Sequence, residues 1–174
     1  SLNLTAQTGS SQNTLFIFDA SGSMWGKINN KAKIQIAKET MGKLSDKISA
    51  GSNVGLIVYG HRSATDCIDI QTLLPIGPFD KTKFNATIKA LNAKGKTPIA
   101  LSINQALALI RGINDPVTII LVSDGLETCP GNACETVKNA KAAGVKITVH
   151  VVGFGISNKD LSPLECIAQA GGGQ

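Results

Sequence analysis

Residues 14–19 read TLFIFD, an apolar run closed by an acid, and residues 117–124 repeat the pattern as VTIILVSD. Runs with no polar alternation suit strands buried on both faces, as in the middle of a parallel sheet. Each acid then falls at a strand's carboxyl end, where open α/β sheets place their ligand sites. After Asp19 come two hydroxyl residues at alternate positions, Ser21 and Ser23. One carboxylate and two neutral oxygens in a tight loop suit a hard divalent cation.

The rest of the chain alternates strands and helices. Residues 1–13, rich in Ser, Thr, Gln and Asn, read as a linker or N-terminal extension, and residues 14–174 as the folded domain. Ile34, Ala37, Met41, Leu44 and Ile48 recur at helical spacing and predict a helix over 31–49. Strands are predicted over 53–59, 68–74 and 145–152, besides the two apolar runs. Residues 68–74 follow a loop too short for a helical crossover, so they should double back as an antiparallel edge strand. Further helices are predicted over 80–91, 98–111, 134–143 and 161–170, with Pro98 at a helix start. Together these give an α/β fold: a doubly wound, mainly parallel central sheet with one antiparallel edge strand and helices on both faces.

Composition narrows the function classes. A chain of 174 residues can bury a real core. No apolar run approaches the ~18 residues of a spanning helix. The net charge of +5 is spread over several helices without a basic block or aromatic stripe, which argues against nucleic acid. With neither an initiator Met nor a signal peptide, the chain reads as part of a larger polypeptide. Four cysteines, Cys67, Cys129, Cys134 and Cys166, favour disulfides and an oxidising compartment over a zinc site, since a second CxxC or a His partner is missing. Cys134 with Cys166 and Cys67 with Cys129 is one pairing; a local Cys129–Cys134 bridge competes.

A third segment joins the two strand-end acids: KGKTP, residues 94–98, sets Thr97 directly before a helix. Taken singly, Thr97 is an N-cap, Asp124-Gly125 a turn and residues 21–23 a flexible loop. Their joint projection toward one sheet edge is harder to obtain by accident. Asp19-x-Ser21-x-Ser23, then Thr97, then Asp124-Gly125, resembles the metal-ion-dependent adhesion site (MIDAS) of von Willebrand factor type A (VWA) domains. The flanking stretches DASGSMWG (19–26), YGHR (59–62) and SDGLETC (123–129) resemble bacterial secreted or envelope members of that family.

The resemblance implies a Rossmann-like VWA fold and a metal centre binding Mg²⁺ (or Ca²⁺ or Mn²⁺). Ser21 and Ser23 would ligate directly, Thr97 directly or switchably, and Asp19 and Asp124 mainly through waters. It further implies a protein-binding (adhesion or interaction) module, in which an Asp or Glu of a protein partner completes the coordination, and an extracytoplasmic location: periplasmic, cell-surface or secreted. Trp25, His61 and Glu127 are the candidate partner-binding rim, although Trp25 equally suits covering the helix entrance and a lone His61 past a strand more often serves as a hydrogen-bonding loop residue. Asp66 and Asp69 read as surface acids rather than a second cation site, and His150 as core. The family's usual last strand and terminal helix are not supplied after Gly171, so an unprotected sheet edge is expected.

Enzyme readings fare worse. A P-loop needs Gly where Ala90 stands, Gly153 and Gly155 lack the third glycine of a dinucleotide fingerprint, and no GxSxG elbow exists. A metal-dependent phosphotransferase built on Asp19 lacks the second nearby acid. The remaining alternative is a structural VWA domain whose metal merely holds the loops.

Overall fold

The computed structural model describes residues 12–158 and 160–174. The linker expected over 1–13 falls mainly outside these residues. Its last position does not belong to a linker, because Asn13 already opens strand β1 (Asn13–Asp19) and is buried.

After β1 come a 3₁₀ turn (Gly22–Trp25) and a short hairpin, β2 (Lys27–Ile28) with β3 (Lys31–Ala32). Then follow α1 (Lys33–Asp46), β4 (Asn53–Tyr59), β5 (Ile70–Pro78), α2 (Lys81–Lys89), α3 (Ile99–Leu109), β6 (Val117–Ser123), α4 (Ala133–Ala142), β7 (Ile147–Gly153) and α5 (Leu161–Ala170). The main sheet runs β5-β4-β1-β6-β7; β4, β1, β6 and β7 are parallel and β5 pairs antiparallel with β4. The expected fold class is therefore what the chain adopts.

Why β1 must be apolar throughout is visible in its packing. Leu15 and Ile17 join Ile99 and Ile103 of α3, Val137 of α4 and Leu164 and Ile167 of α5 on one face of the sheet. Phe16 and Phe18 join Ile34, Ala37 and Met41 of α1 and Phe84 and Ile88 of α2 on the other. Alternate side chains point to opposite faces, and both faces are covered. Edge strand β5 is only partly buried and contains Pro75 and Pro78, which an edge tolerates. It starts two residues later than expected because Asp69 is consumed by the preceding loop, described below.

The other edge is not bare. Residues 171–174 run along β7, with Val149 N–H donating to Gly171 O (3.2 Å) and Val151 N–H to Gln174 O (2.8 Å). A Cβ on Gly173 would overlap the Val149 carbonyl, so glycine is required for this close approach. The expectation of an unprotected edge thus fails over these two residues. His150, expected in the core, is instead partly exposed on this edge, its Nδ1 accepting from the Gln174 N–H at 3.1 Å.

Both disulfides bear on the loops and helices. Cys67–Cys129 joins the loop after β4 to the loop after β6, with Cα atoms 5.7 Å apart. Cys134–Cys166 ties α4 to α5 at 5.6 Å. Cys134 lies in the first turn of α4, and Cys166 lies inside α5. The local Cys129–Cys134 alternative is excluded.

Candidate metal centre

The chain runs from β1 through α1 to β4 on one side, and returns to place β6 on the other side of β1. The carboxyl ends of β1 and β6 therefore flank a topological switch point, where connections diverge and leave a crevice. Asp19 ends β1 and Asp124 follows the last residue of β6, so the sheet itself brings the two acids together.

Backbone hydrogen bonds lace the surrounding loops. Ala20 N–H donates to Tyr59 O (2.9 Å), Lys94 N–H to Ala20 O (2.9 Å), Gly22 N–H to Gly95 O (2.9 Å) and Gly95 N–H to Gly60 O (2.7 Å). Gly60 has a φ of +76°, and a Cβ there would come 2.7 Å from the Lys96 carbonyl oxygen. Only glycine serves this crossing of loops. Thr97 follows two residues after Gly95 and is locked from the far side: its N–H donates to Thr128 Oγ1 (2.8 Å), and Thr128 N–H donates back to its carbonyl (3.1 Å).

The side chains form one connected set. Asp19 Oδ1 accepts from the Ser21 N–H (2.8 Å), while Oδ2 accepts from Ser123 Oγ (2.7 Å). Ser21 Oγ and Ser23 Oγ are 3.1 Å apart. Ser23 Oγ donates to Asp124 Oδ1 (2.9 Å), and Lys33 Nζ pairs with Asp124 Oδ2 (3.0 Å). Beneath them the Tyr59 hydroxyl donates to Ser123 Oγ (3.3 Å). Asp19 is fully buried, and burial together with the nearby Asp124 carboxylate pushes its pKa up to about 6. Two buried carboxylates this close call for positive charge.

This donor set fits a hard divalent ion. Hydroxyl and carboxylate oxygens converge here, the donor type a hard ion takes, while among the described residues no group of three or more His, Cys, Asp and Glu side chains is placed to hold a metal. A site here rests on the serine hydroxyls with two acids, and the hydrogen bonds now shared between Ser21, Ser23 and Asp124 are those an ion would replace.

The candidate rim is uneven. Trp25 is 55% exposed, with its Nε1 donating to the Ala93 carbonyl at 2.7 Å, so one end is anchored and the ring faces solvent. Glu127 is half-buried and accepts from the Ile99 and Ala100 N–H groups (2.6 and 2.8 Å), capping α3 immediately after Thr97. Burial raises its pKa despite those N–H groups. His61 Nε2 contacts Gln71 Oε1 at 2.9 Å, and the imidazole is largely buried. Asp69, read as a surface acid, is in fact buried and accepts from the Arg62 and Ser63 N–H groups (2.7 and 2.8 Å) and from Arg62 Nε (2.7 Å). It organises the loop that carries Cys67. Exposed Ile68 and Leu126 stand on the two loops that Cys67–Cys129 joins.

Sequence reasoning missed Lys33, Ser123, Tyr59 and Thr128. Ser123 and Tyr59 end apolar strands beside Asp124 and opposite Asp19 in register, a signal that strand pairing alone could have supplied.

The fold has recognisable relatives. The chain is 27% identical to the uncharacterized protein YwmD of Bacillus subtilis over 181 aligned residues, covering 99% of this chain and 81% of that protein. Its fold is similar to that of a von Willebrand factor type A protein from Catenulispora acidiphila, with a TM-score of 0.75 and 20% identity over 95% of this chain and 38% of the other. It is also similar to proximal thread matrix protein 1 of the mussel byssus, in the form with a zinc-occupied MIDAS motif (TM-score 0.68, 21% identity, 91% of this chain and 39% of the other). At such identities the two structures speak for the fold alone, and this chain spans well under half of each. The von Willebrand factor type A domain family model matches residues 14–127, from the buried first strand through the loop after Asp124, and the chain belongs to that family.

Proposed function

We propose that this chain is a divalent-metal-dependent protein-binding module. In it Ser21, Ser23 and Thr97 supply hydroxyl ligands to Mg²⁺ or a similar ion, and Asp19 and Asp124 bind through water. A carboxylate of a protein partner completes the coordination. VWA domains are generally protein-interaction modules, not enzymes. The observation that carries the reading is the connected set of Asp19, Ser21, Ser23 and Asp124 at the switch point of the sheet. With few carboxylates touching it, the ion would keep its electrophilic character and its waters, ready to exchange one for a partner's oxygen. The mussel protein of similar fold has a zinc-occupied MIDAS motif, which supports a divalent ion as the kind of group this fold can take.

The alternative, a metal that only holds the loops, is disfavoured by the backbone lacing between residues 20–22, 59–60 and 94–95 and by Cys67–Cys129. Trp25, Ile68 and Leu126 are the exposed apolar side chains around the centre and would bury against the partner. The two disulfides support an extracytoplasmic setting, since such bonds persist in oxidising compartments. Among the described residues no helix is long and apolar enough to cross a membrane.

The test is a panel of peptides each presenting one Asp or Glu, screened against the Mg²⁺-loaded chain. Binding should vanish in EDTA and when the acid is replaced by its amide. Binding indifferent to EDTA would contradict the reading.

A further inference from the structure

Lys33 belongs to no part of the expected metal motif, yet its ammonium reaches the centre of it. It opens α1, and its N–H donates to the Gly26 carbonyl at 2.8 Å. From there the side chain threads a slot between two glycines. A Cβ on Gly26 would lie 3.5 Å from Lys33 Cε and 3.6 Å from Nζ, and one on Gly155 would lie 3.1 Å from Cε. A Cβ on Gly155 would press on this stem, whereas one on Gly26 would meet it in ordinary van der Waals contact, so the path depends on glycine at 155. Its ammonium emerges 3.0 Å from Asp124 Oδ2, and only 17% of the lysine side chain is exposed. Most surface lysines keep their heads in water and gain little from a partner. This one is packed along its stem and aimed at a carboxylate that is itself fully covered.

The charge arithmetic gives the arrangement a consequence. Asp19 and Asp124, when ionised, contribute two negative charges, and Lys33 cancels one of them at the oxygen opposite Ser23. A divalent ion entering between Ser21, Ser23 and Asp124 meets a site already half neutralised. It must share Asp124 with an ammonium or drive that ammonium back along its slot. We propose that Lys33 is a tethered counter-cation of the metal centre, holding Asp124 in the ion's absence and lowering the affinity for the ion when it arrives. This rests on the metal-site reading above. Lys33 would then make metal loading responsive to ion concentration instead of permanent, with the lysine as the resident competitor.

Calorimetric titration of the EDTA-treated and dialysed chain with Mn²⁺ tests this in the wild type, Lys33→Met, Lys33→Gln and Lys33→Arg. Met retains the stem without the charge, Gln is a second neutral variant should Lys33→Met not fold, and Arg retains the charge. Both neutral variants should bind Mn²⁺ ~10-fold or more tighter than the wild type, and Lys33→Arg within ~3-fold of it, as expected for one charge removed from a partly buried site. Binding by the neutral variants where the wild type shows none would support the same conclusion. If the wild type binds and the neutral variants bind equally or more weakly, Lys33 is not a competitor and the proposal is overturned while the metal site stands. If none of the four binds Mn²⁺, the metal-site reading falls and the proposal falls with it.

Discussion

Replacing Asp19 by Asn should cut the affinity for Mg²⁺ or Mn²⁺ by ~100-fold while leaving the EDTA-treated chain folded. Asn matches Asp in shape, so its carbonyl can still accept from the Ser21 N–H that the carboxylate now holds at 2.8 Å. What disappears is a negative charge that is fully buried, with Asp124 as its neighbour. That charge is unfavourable until an ion arrives, and the pKa near 6 records it. The sign follows directly. The folded chain holds a proton on Asp19 between the ordinary value of 3.8 and about 6, whereas the unfolded chain has already released it. Stability of the EDTA-treated wild type therefore falls as pH rises through this window, by roughly 3 kcal/mol at most. Asp19→Asn removes the dependence along with the metal affinity. Metal binding by the wild type should accordingly weaken below pH ~6, where the ion must displace a proton. Calorimetric titration with Mg²⁺ at pH 7 and pH 5, paired with thermal melts in EDTA, checks each part. An Asn variant that binds metal normally would remove Asp19 from the site.

Reduction of both disulfides should destabilise the chain by ~4 kcal/mol per bond as an upper estimate, enough to unfold a domain of ordinary stability. Cys67–Cys129 closes 62 residues and Cys134–Cys166 closes 32, and loop-closure entropy depends only weakly on that difference. The two bonds should nevertheless differ in kind. Cys134–Cys166 staples α4 to α5 against one face of the sheet, so Cys134→Ala with Cys166→Ala should lower Tm with little effect on the metal centre. Cys67–Cys129 brackets the metal edge, because Cys129 follows the Thr128 that clasps Thr97, and Cys67 sits in the loop organised by Asp69. Cys67→Ala with Cys129→Ala should lower Tm and weaken metal binding together. Melts and titrations of the two double variants separate these outcomes, and equal loss of metal affinity in both would show that neither bond acts on the site locally.

How much of this was legible depends on how local each feature is. The central strands β1, β4 and β6 were readable to within a residue because burial on both faces forces an unbroken apolar run, and no helix competes for so short a run closed by an acid. The helices were readable from their apolar spacing, with ends displaced by at most three residues. The hairpin of β2 and β3 was not, since two-residue strands carry no periodic signal and its turn places Asn29 and Asn30 at positive φ. Edge features escaped for a different reason. His150 looked like core in a strand of alternating residues, but β7 is an edge strand, and its covering by residues 171–174 is a tertiary fact. Asp69 reads as a surface acid and Glu127 as part of a partner-binding rim, and in the fold both accept backbone N–H groups, a role set by the chain's path in space. Lys33 shows the limit most clearly. Its helix start is predictable, but the slot between Gly26 and Gly155 joins segments more than a hundred residues apart.

A crystal structure grown with Mn²⁺, with the ion located by its anomalous signal, tests the central claim most directly. The account predicts one strong peak at the carboxyl ends of β1 and β6, about 2.0–2.3 Å from both Ser21 Oγ and Ser23 Oγ, with water or a neighbour's carboxylate in an open position facing solvent. A peak elsewhere on the chain, or none at a saturating concentration of the ion, would contradict it.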